Sequence, residues 1–156
     1  MTNKIETDKP QKQKYSVLVN AIVVKDNEIL LCQRSMEEEH VHGKWCPPGG
    51  KLEETNRVVE ALQKTAKREV FEETNVEVED EMRLLINNTF RHDEDDLLVL
   101  AVVFMCRYKS GEAKPMEDTI DVKWIAEDEI ESVQFTHPSV KEYAVKAFEL
   151  LRSGLF

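Results

Sequence analysis

Residues 49–76 read GGKLEETNRVVEALQKTAKREVFEETNV, and this stretch determines how the rest of the chain is interpreted. Between residues 56 and 74 it contains no glycine or proline, so it predicts a long helix with Asn56 as the N-cap. The helix is predicted to end at Asn75, because asparagine tolerates the left-handed conformation that often follows a helix.

The apolar stripe of this predicted helix continues into acidic residues. At about 100° per residue, one face carries Val58, Leu62, Ala66, Glu69 and Glu73. Glu72 flanks this face one turn beyond Glu69, and Arg68 is four residues before Glu72, where it can pair with it. One arginine does not balance three carboxylates, so a hard divalent cation, Mg²⁺ or Mn²⁺, is their natural partner. The stripe alone also fits a solvated charged face.

The same stretch resembles the Nudix box, G-x5-E-x7-R-E-U-x-E-E-x-G-U, in which U is an aliphatic residue. Residues 68–73 match R-E-U-x-E-E without a gap, and Glu60 stands eight residues before Arg68, as the box requires. Trp45, followed by Pro48, Gly49 and Gly50, matches a lead-in common in that family. The resemblance extends over roughly residues 15–150.

Two departures from the box have structural consequences. Nine residues separate Gly50 from Glu60, where the box has five, and the expected result is one added turn at the start of the helix. Glu60, not Asn56, is therefore aligned with the first glutamate of the box. Asn75 replaces the box glycine, and its tolerance of positive φ predicts that the turn survives.

The resemblance implies a metal-dependent site with assigned roles. One to three Mg²⁺ ions, with Mn²⁺ as a substitute, are expected on Gly49, Glu60, Glu69, Glu72 and Glu73. Arg68 is expected to orient Glu72 or Glu73. Arg68, Glu69 and Glu72 are expected to be catalytic residues. The general base is a box glutamate or a carboxylate from a later loop, where the candidates are Glu117, Asp118 and Asp121.

Other residues of the site follow from the same resemblance. Arg34, Gly50 and Lys51 are expected to contact substrate, although a plain surface role for Arg34 is equally open. Glu53 is a further carboxylate in the glycine loop, since GGK-x-E is common in the family.

Apolar runs and turn residues predict the remaining elements. Strands are expected at residues 15–24, 28–33, 76–78, 82–90, 97–108 and 119–125, the first two as a hairpin, followed by a helical turn at 127–133 and an amphipathic helix at 137–152. This order fits a Nudix-type α/β/α sandwich, in which a mixed, curved sheet packs between helices. A flexible tail over residues 1–14 and a single domain over residues 15–156 are expected.

Composition narrows the partners and the compartment. Lys and Arg total 21 and Asp and Glu total 31, a net charge of −10 that disfavours broad nucleic-acid binding. Three widely spaced cysteines, with no CxxC pair, favour a reducing compartment such as the cytoplasm. No apolar run approaches the roughly 20 residues of a membrane helix.

The resemblance to the Nudix family implies hydrolysis of the pyrophosphate bond in a nucleoside diphosphate linked to another moiety. The short chain resembles small MutT-like members that act on a (d)NTP or an oxidised nucleotide. An ADP-ribose or dinucleotide pyrophosphatase is the alternative, and the lengthened loop and the missing glycine keep a non-catalytic ligand-sensing module open. A homodimer is a further open expectation, with the apolar edge of the hairpin as its contact surface.

Overall fold

The computed structural model describes residues 12–35, 43–92 and 94–156, which form a mixed β-sheet with a helix on each face. The strands are β1 (Ser16–Lys25), β2 (Glu28–Arg34), β3 (Trp45–Cys46), β4 (Gly49–Lys51), β5 (Glu77–His92), β6 (Leu97–Ser110) and β7 (Thr119–Ile125). The helices are α1 (Ala61–Thr74) and α2 (Pro138–Arg152), and a 3-10 helix spans Glu127–Ser132. The predicted α/β/α sandwich is confirmed.

Two long parallel strands form the centre of the sheet. The main path runs β3-β2-β1-β6-β5, and β4 and β7 add to β1 and β2. β1 and β6 are parallel from Ser16 opposite Val99 to Val24 opposite Arg107, whereas the other pairs are antiparallel. Both strands have neighbours on each side and helices above and below, so their sequences are nearly continuous apolar runs.

Each helix packs on its own hydrophobic cluster. On one face α2 buries Val140, Tyr143, Ala144, Ala147 and Phe148, in agreement with the amphipathic helix predicted there. On the other face Ala66 and Val70 of α1 join buried residues of β1, β2, β5 and β6. Alternate side chains of the central strands supply the two clusters, which fixes α1 against the sheet.

The predicted start of the central helix is wrong. α1 begins at Ala61, not beside Asn56, and residues 52–60 are irregular, so the additional residues do not form a helical turn. Val58 and Val59 are β-branched and lose side-chain freedom in a helix. Val59 is 59% exposed, so helical packing would bury little there to compensate. The predicted end is correct, since Asn75 has φ 61° and follows Thr74 directly.

Two other predictions change in detail. The strands expected at 76–78 and 82–90 are one strand, β5, whose register shifts at bulges. The β1–β2 hairpin is present, but only two pairs of residues connect its strands. Beyond them, β1 pairs with β4 and β6, and β2 pairs with β3 and β7. The two strands of the hairpin are therefore paired mainly with other strands of the same sheet. Most of the expected tail, residues 1–11, lies outside the described residues, in which no helix could cross a membrane.

Candidate active site

The buried face of α1 holds the helix in one orientation. Its fully buried residues are Thr65, Ala66, Val70 and Thr74. The hydroxyls of Thr65 and Thr74 donate to the carbonyls of Ala61 and Val70, at 2.8 and 2.6 Å, so neither polar group is left unsatisfied in the core. With this face fixed, Glu69 and Glu73 point toward the glycines of β4.

Glu73 lies in a half-buried position beside β4. The backbone N–H of Gly49 donates to its carboxylate at 3.2 Å. Burial raises the pKa of Glu73 to about 7, and the charges of Glu69 and Glu117 act in the same direction. The Gly49 hydrogen bond and the charge of Arg34 oppose this rise in pKa. Glu73 is thus a carboxylate whose ionised form would gain from a further cation.

Glu69 lies one turn earlier, against Gly50. A Cβ on Gly50 would stand 2.5 Å from the carboxyl carbon of Glu69, so only glycine leaves this carboxylate its space. Burial raises the pKa of Glu69, and Arg68 lowers it. Glu72, Glu117 and Glu53 also raise this pKa by charge repulsion. Glu53, in the glycine loop, is therefore a neighbour of Glu69, as the GGK-x-E spacing suggested.

Arg68 links two of the helix carboxylates. Its guanidinium nitrogens lie 3.3 Å from a carboxylate oxygen of Glu69 and 3.5 Å from one of Glu72. The pairing with Glu72 follows from the four-residue spacing in the sequence, whereas the contact with Glu69 was not expected. Arg68 can therefore orient both groups.

The segment after β6, residues 111–118, folds back onto the C-terminal end of α1. The N–H groups of Lys114 and Met116 donate to the carbonyls of Thr74 and Glu73 at 3.0 and 3.1 Å. These bonds cap helix carbonyls that have no partner within the helix. They also bring Glu117 close enough to raise the pKa of both Glu69 and Glu73. Sequence reasoning missed this anchor, because backbone N–H groups leave no signal in side-chain types.

Glu117 has an unfavourable backbone conformation. Its φ is 51°, in the left-handed region that costs a residue with a Cβ roughly 1–2 kcal/mol. Such conformations cluster at functional sites, where surrounding contacts hold them in place. Of the three later carboxylates named from the sequence, Glu117 is the one whose charge acts on both Glu69 and Glu73.

The remaining predicted site residues are divided between the cluster and its surroundings. Arg34, at the end of β2, lowers the pKa of Glu73 and so belongs to the cluster. Lys51 is exposed at the end of β4. Glu60 is exposed and precedes Glu69 by nine residues, roughly 13 Å along a helix axis, so it stands apart from the other carboxylates.

The cluster has the chemistry of a site for a hard cation. Its carboxylates are Glu69, Glu72, Glu73 and Glu117, with Arg34 and Arg68 as counter-charges. α1 has no basic residue in its last turn, so the negative end of the helix dipole adds to the repulsion. Oxygen donors of this kind suit Mg²⁺ or Mn²⁺. Within the described ranges, no group of three Asp, Glu, His or Cys side chains lies close enough together to hold a metal ion by itself.

Comparison with known proteins places the chain among related sequences and folds. A family model for the NUDIX domain matches residues 14–148. A MutT-like protein of Streptomyces ambofaciens is 30% identical over 138 residues, which cover 88% of this chain and 77% of the relative.

Solved structures show the same fold at lower identity. A NUDIX hydrolase from Nitrosomonas europaea superposes with a TM-score of 0.72 at 21% identity, covering 86% of this chain and 88% of the other. A bifunctional NMN adenylyltransferase/ADP ribose pyrophosphatase from Francisella tularensis, complexed with AMP and a manganese ion, gives a TM-score of 0.64 at 22% identity. That match covers 91% of this chain and 42% of the other.

Proposed function

The chain belongs to the Nudix family of pyrophosphohydrolases, and on that premise we propose that it uses Mg²⁺ to hydrolyse a (d)NTP or an oxidised nucleotide. The observation that carries this proposal is the gathering of Glu69, Glu72, Glu73 and Glu117 around the end of α1, beside the glycines of β4. A diphosphate brings further negative charge to this place, so a divalent cation is required to bind it.

The metal would be held by oxygen ligands of the cluster. These are the carboxylates of Glu69, Glu72 and Glu73 and the backbone of Gly49, with Mn²⁺ as a substitute for Mg²⁺. A bound divalent ion neutralises a diphosphate and lowers the pKa of a coordinated water. Glu60 belongs to the metal set of the family pattern, but its place at the opposite end of α1 removes it from the set proposed for this chain.

The chain's own residues then supply position and proton transfer. Arg68 pairs with the carboxylates of Glu69 and Glu72 and is proposed to keep both in position before substrate arrives. Glu117 is proposed as the general base that takes a proton from the attacking water, because it faces the cluster from a separate loop. Arg34 and Lys51 are proposed to contact phosphate oxygens. Gly50, whose lack of a Cβ leaves space for the Glu69 carboxylate, is proposed to lie against the substrate.

The second candidate substrate class is ADP-ribose or another dinucleotide. The F. tularensis protein named above combines an ADP ribose pyrophosphatase with a second activity, which motivates the inclusion of this class. A non-catalytic sensing module is the third alternative, motivated by the irregular insertion over residues 52–60. Turnover separates it from both enzyme hypotheses.

The test is release of phosphate or pyrophosphate from a panel that includes canonical and oxidised (d)NTPs, with AMP release from ADP-ribose and dinucleotides. Wild type is compared with Glu72→Gln, with and without Mg²⁺. We expect Mg²⁺-dependent turnover of at least one triphosphate and its loss in Glu72→Gln. Turnover of ADP-ribose alone would replace the first substrate class by the second. Binding without turnover across the panel would favour the sensing module.

The proposed partner is a small nucleotide, and the proposed compartment is the cytoplasm. The three cysteines are widely spaced in the sequence with no CxxC pair, which favours a reducing environment. The net charge of −10 opposes broad contact with nucleic acid.

A further inference from the structure

Asn75 occupies the position of the box glycine, and it makes a contact that glycine cannot make. Its φ of 61° and ψ of 15° are those of the left-handed residue that ends many helices, and its N–H donates to the Phe71 carbonyl at 2.9 Å. Glycine would make this turn as well. The side-chain amide of Asn75 in addition donates to the carbonyl of Glu112 at 3.1 Å.

This extra hydrogen bond ends on the segment that carries Glu117. Glu112 is the second residue of the 111–118 segment, and the N–H groups of Lys114 and Met116 bond to α1 further along it. Gly111 packs tightly at the same point, since a Cβ there would lie 2.3 Å from the Asn75 carbonyl oxygen. The segment is thus attached to α1 at three successive places, and Asn75 provides the first.

We infer that Asn75 is a positioning residue, whose amide holds the 111–118 segment so that Glu117 faces Glu69 and Glu73. The inference rests on the proposed function for its catalytic consequence, because Glu117 matters there as the base. The φ of Glu117 is strained, and an unfavourable conformation persists only when neighbouring contacts hold it. The hydrogen bonds between α1 and the 111–118 segment are contacts of this kind. Where the family pattern has glycine, this chain has an added connection between its catalytic helix and its proposed base.

The test compares Asn75→Gly with a matched control, Tyr108→Phe. Asn75→Gly keeps the left-handed turn and removes the side chain whose amide bonds to Glu112. Tyr108→Phe removes another hydrogen bond to the same segment, from the Tyr108 hydroxyl to the Gly111 carbonyl at 2.8 Å. We expect Asn75→Gly to lower kcat about tenfold with KM little changed. A tenfold loss is the lower end of the effect of contacts that orient active-site residues without touching the substrate. Tyr108→Phe is expected to keep kcat.

A double-mutant cycle and hydrogen exchange separate positioning from general stability. In a Glu117→Gln background, Asn75→Gly is expected to cause no further loss of kcat, because it acts through Glu117. In metal-free protein, the amides of Lys114 and Met116 are expected to exchange faster in Asn75→Gly and at the wild-type rate in Tyr108→Phe.

Three results would overturn the inference. They are unchanged protection of both amides in Asn75→Gly, an equal kcat loss with and without Glu117, and a kcat loss in Tyr108→Phe as large as in Asn75→Gly. If wild type turns over no nucleotide, the proposed function has failed. The exchange rates of Lys114 and Met116 still decide whether Asn75 holds the 111–118 segment on α1.

Discussion

At the scale of single residues, Gly49 and Gly50 are neighbours in sequence, but the absence of a Cβ matters for a different contact at each. A Cβ on Gly49 would lie 2.3 Å from the Val19 carbonyl oxygen and 2.8 Å from the Asn20 Cα, both backbone atoms of β1. A Cβ on Gly50 would meet only the end of the Glu69 side chain. The first glycine therefore protects the β1–β4 pairing, and the second protects the position of a carboxylate.

The two alanine variants should separate these roles. Gly49→Ala forces backbone apart and is expected to lower the free energy of unfolding by about 1–3 kcal/mol. Gly50→Ala displaces Glu69 and is expected to keep stability while reducing kcat roughly 10–100-fold. Chemical denaturation and steady-state kinetics measure both effects. Equal loss of stability in the two variants would contradict this division.

Glu117 and Asp118 are adjacent carboxylates with different expected importance. Glu117→Gln removes the proposed base and is expected to lower kcat by about 10²–10⁴-fold. Asp118→Asn removes the same charge one residue later and is expected to leave kcat within about twofold, since general-base rate effects require contact with the reacting proton. Steady-state assays over a range of pH distinguish the two. A larger loss in Asp118→Asn would transfer the role of base to that residue.

At the scale of elements, the sequence predicts one end of α1 and not the other. Asn75 carries a clear local preference for the left-handed C-terminal position, so the helix end is predictable. At the start, the absence of glycine and proline predicts helix, but β-branched Val58 and Val59 disfavour it, and the chain enters α1 through a left-handed Glu60. The four-residue spacing of Arg68 and Glu72 predicts their pairing. The approach of Glu117 depends on backbone hydrogen bonds between distant segments, which no local pattern encodes.

The strained start of α1 gives a stability prediction. Glu60 has φ 58° and no side-chain capping hydrogen bond. Glu60→Gly should relieve the strain and raise the free energy of unfolding by about 1 kcal/mol. Glu60→Ala, which keeps a Cβ, should give no such gain. Thermal or denaturant unfolding measures this difference, and stabilisation by alanine as large as by glycine would refute it.

At the scale of the whole molecule, the fold follows from the order of apolar runs, since continuous runs in β1 and β6 require cover on both faces. The sequence does not predict the order of the strands in the sheet. β1 pairs with β6, more than eighty residues away in the chain, and β2 pairs with β7. This arrangement places the glycine loop, the end of α1 and the 111–118 segment at one location, although each is far from the others in sequence.

Because these three segments meet at repelling carboxylates, metal should stabilise the whole chain. At a free Mn²⁺ or Mg²⁺ concentration of about ten times Kd, linkage gives about 1.4 kcal/mol, or roughly a 4 °C rise in Tm. Thermal unfolding with and without EDTA measures this rise. The rise should shrink in Glu72→Gln at the same metal concentration, and an equal rise in the variant would place the metal elsewhere.

The most direct test of the central claim is kcat/KM of Glu69→Gln on the best substrate of the panel, at saturating Mg²⁺. Glu149→Gln, on α2 at the opposite face of the sheet, is the control for loss of one carboxylate. We predict a fall of about 10³-fold for Glu69→Gln, equivalent to about 4 kcal/mol, and an unchanged value for Glu149→Gln. A folded Glu69→Gln variant that keeps kcat/KM within about threefold of wild type would contradict the account.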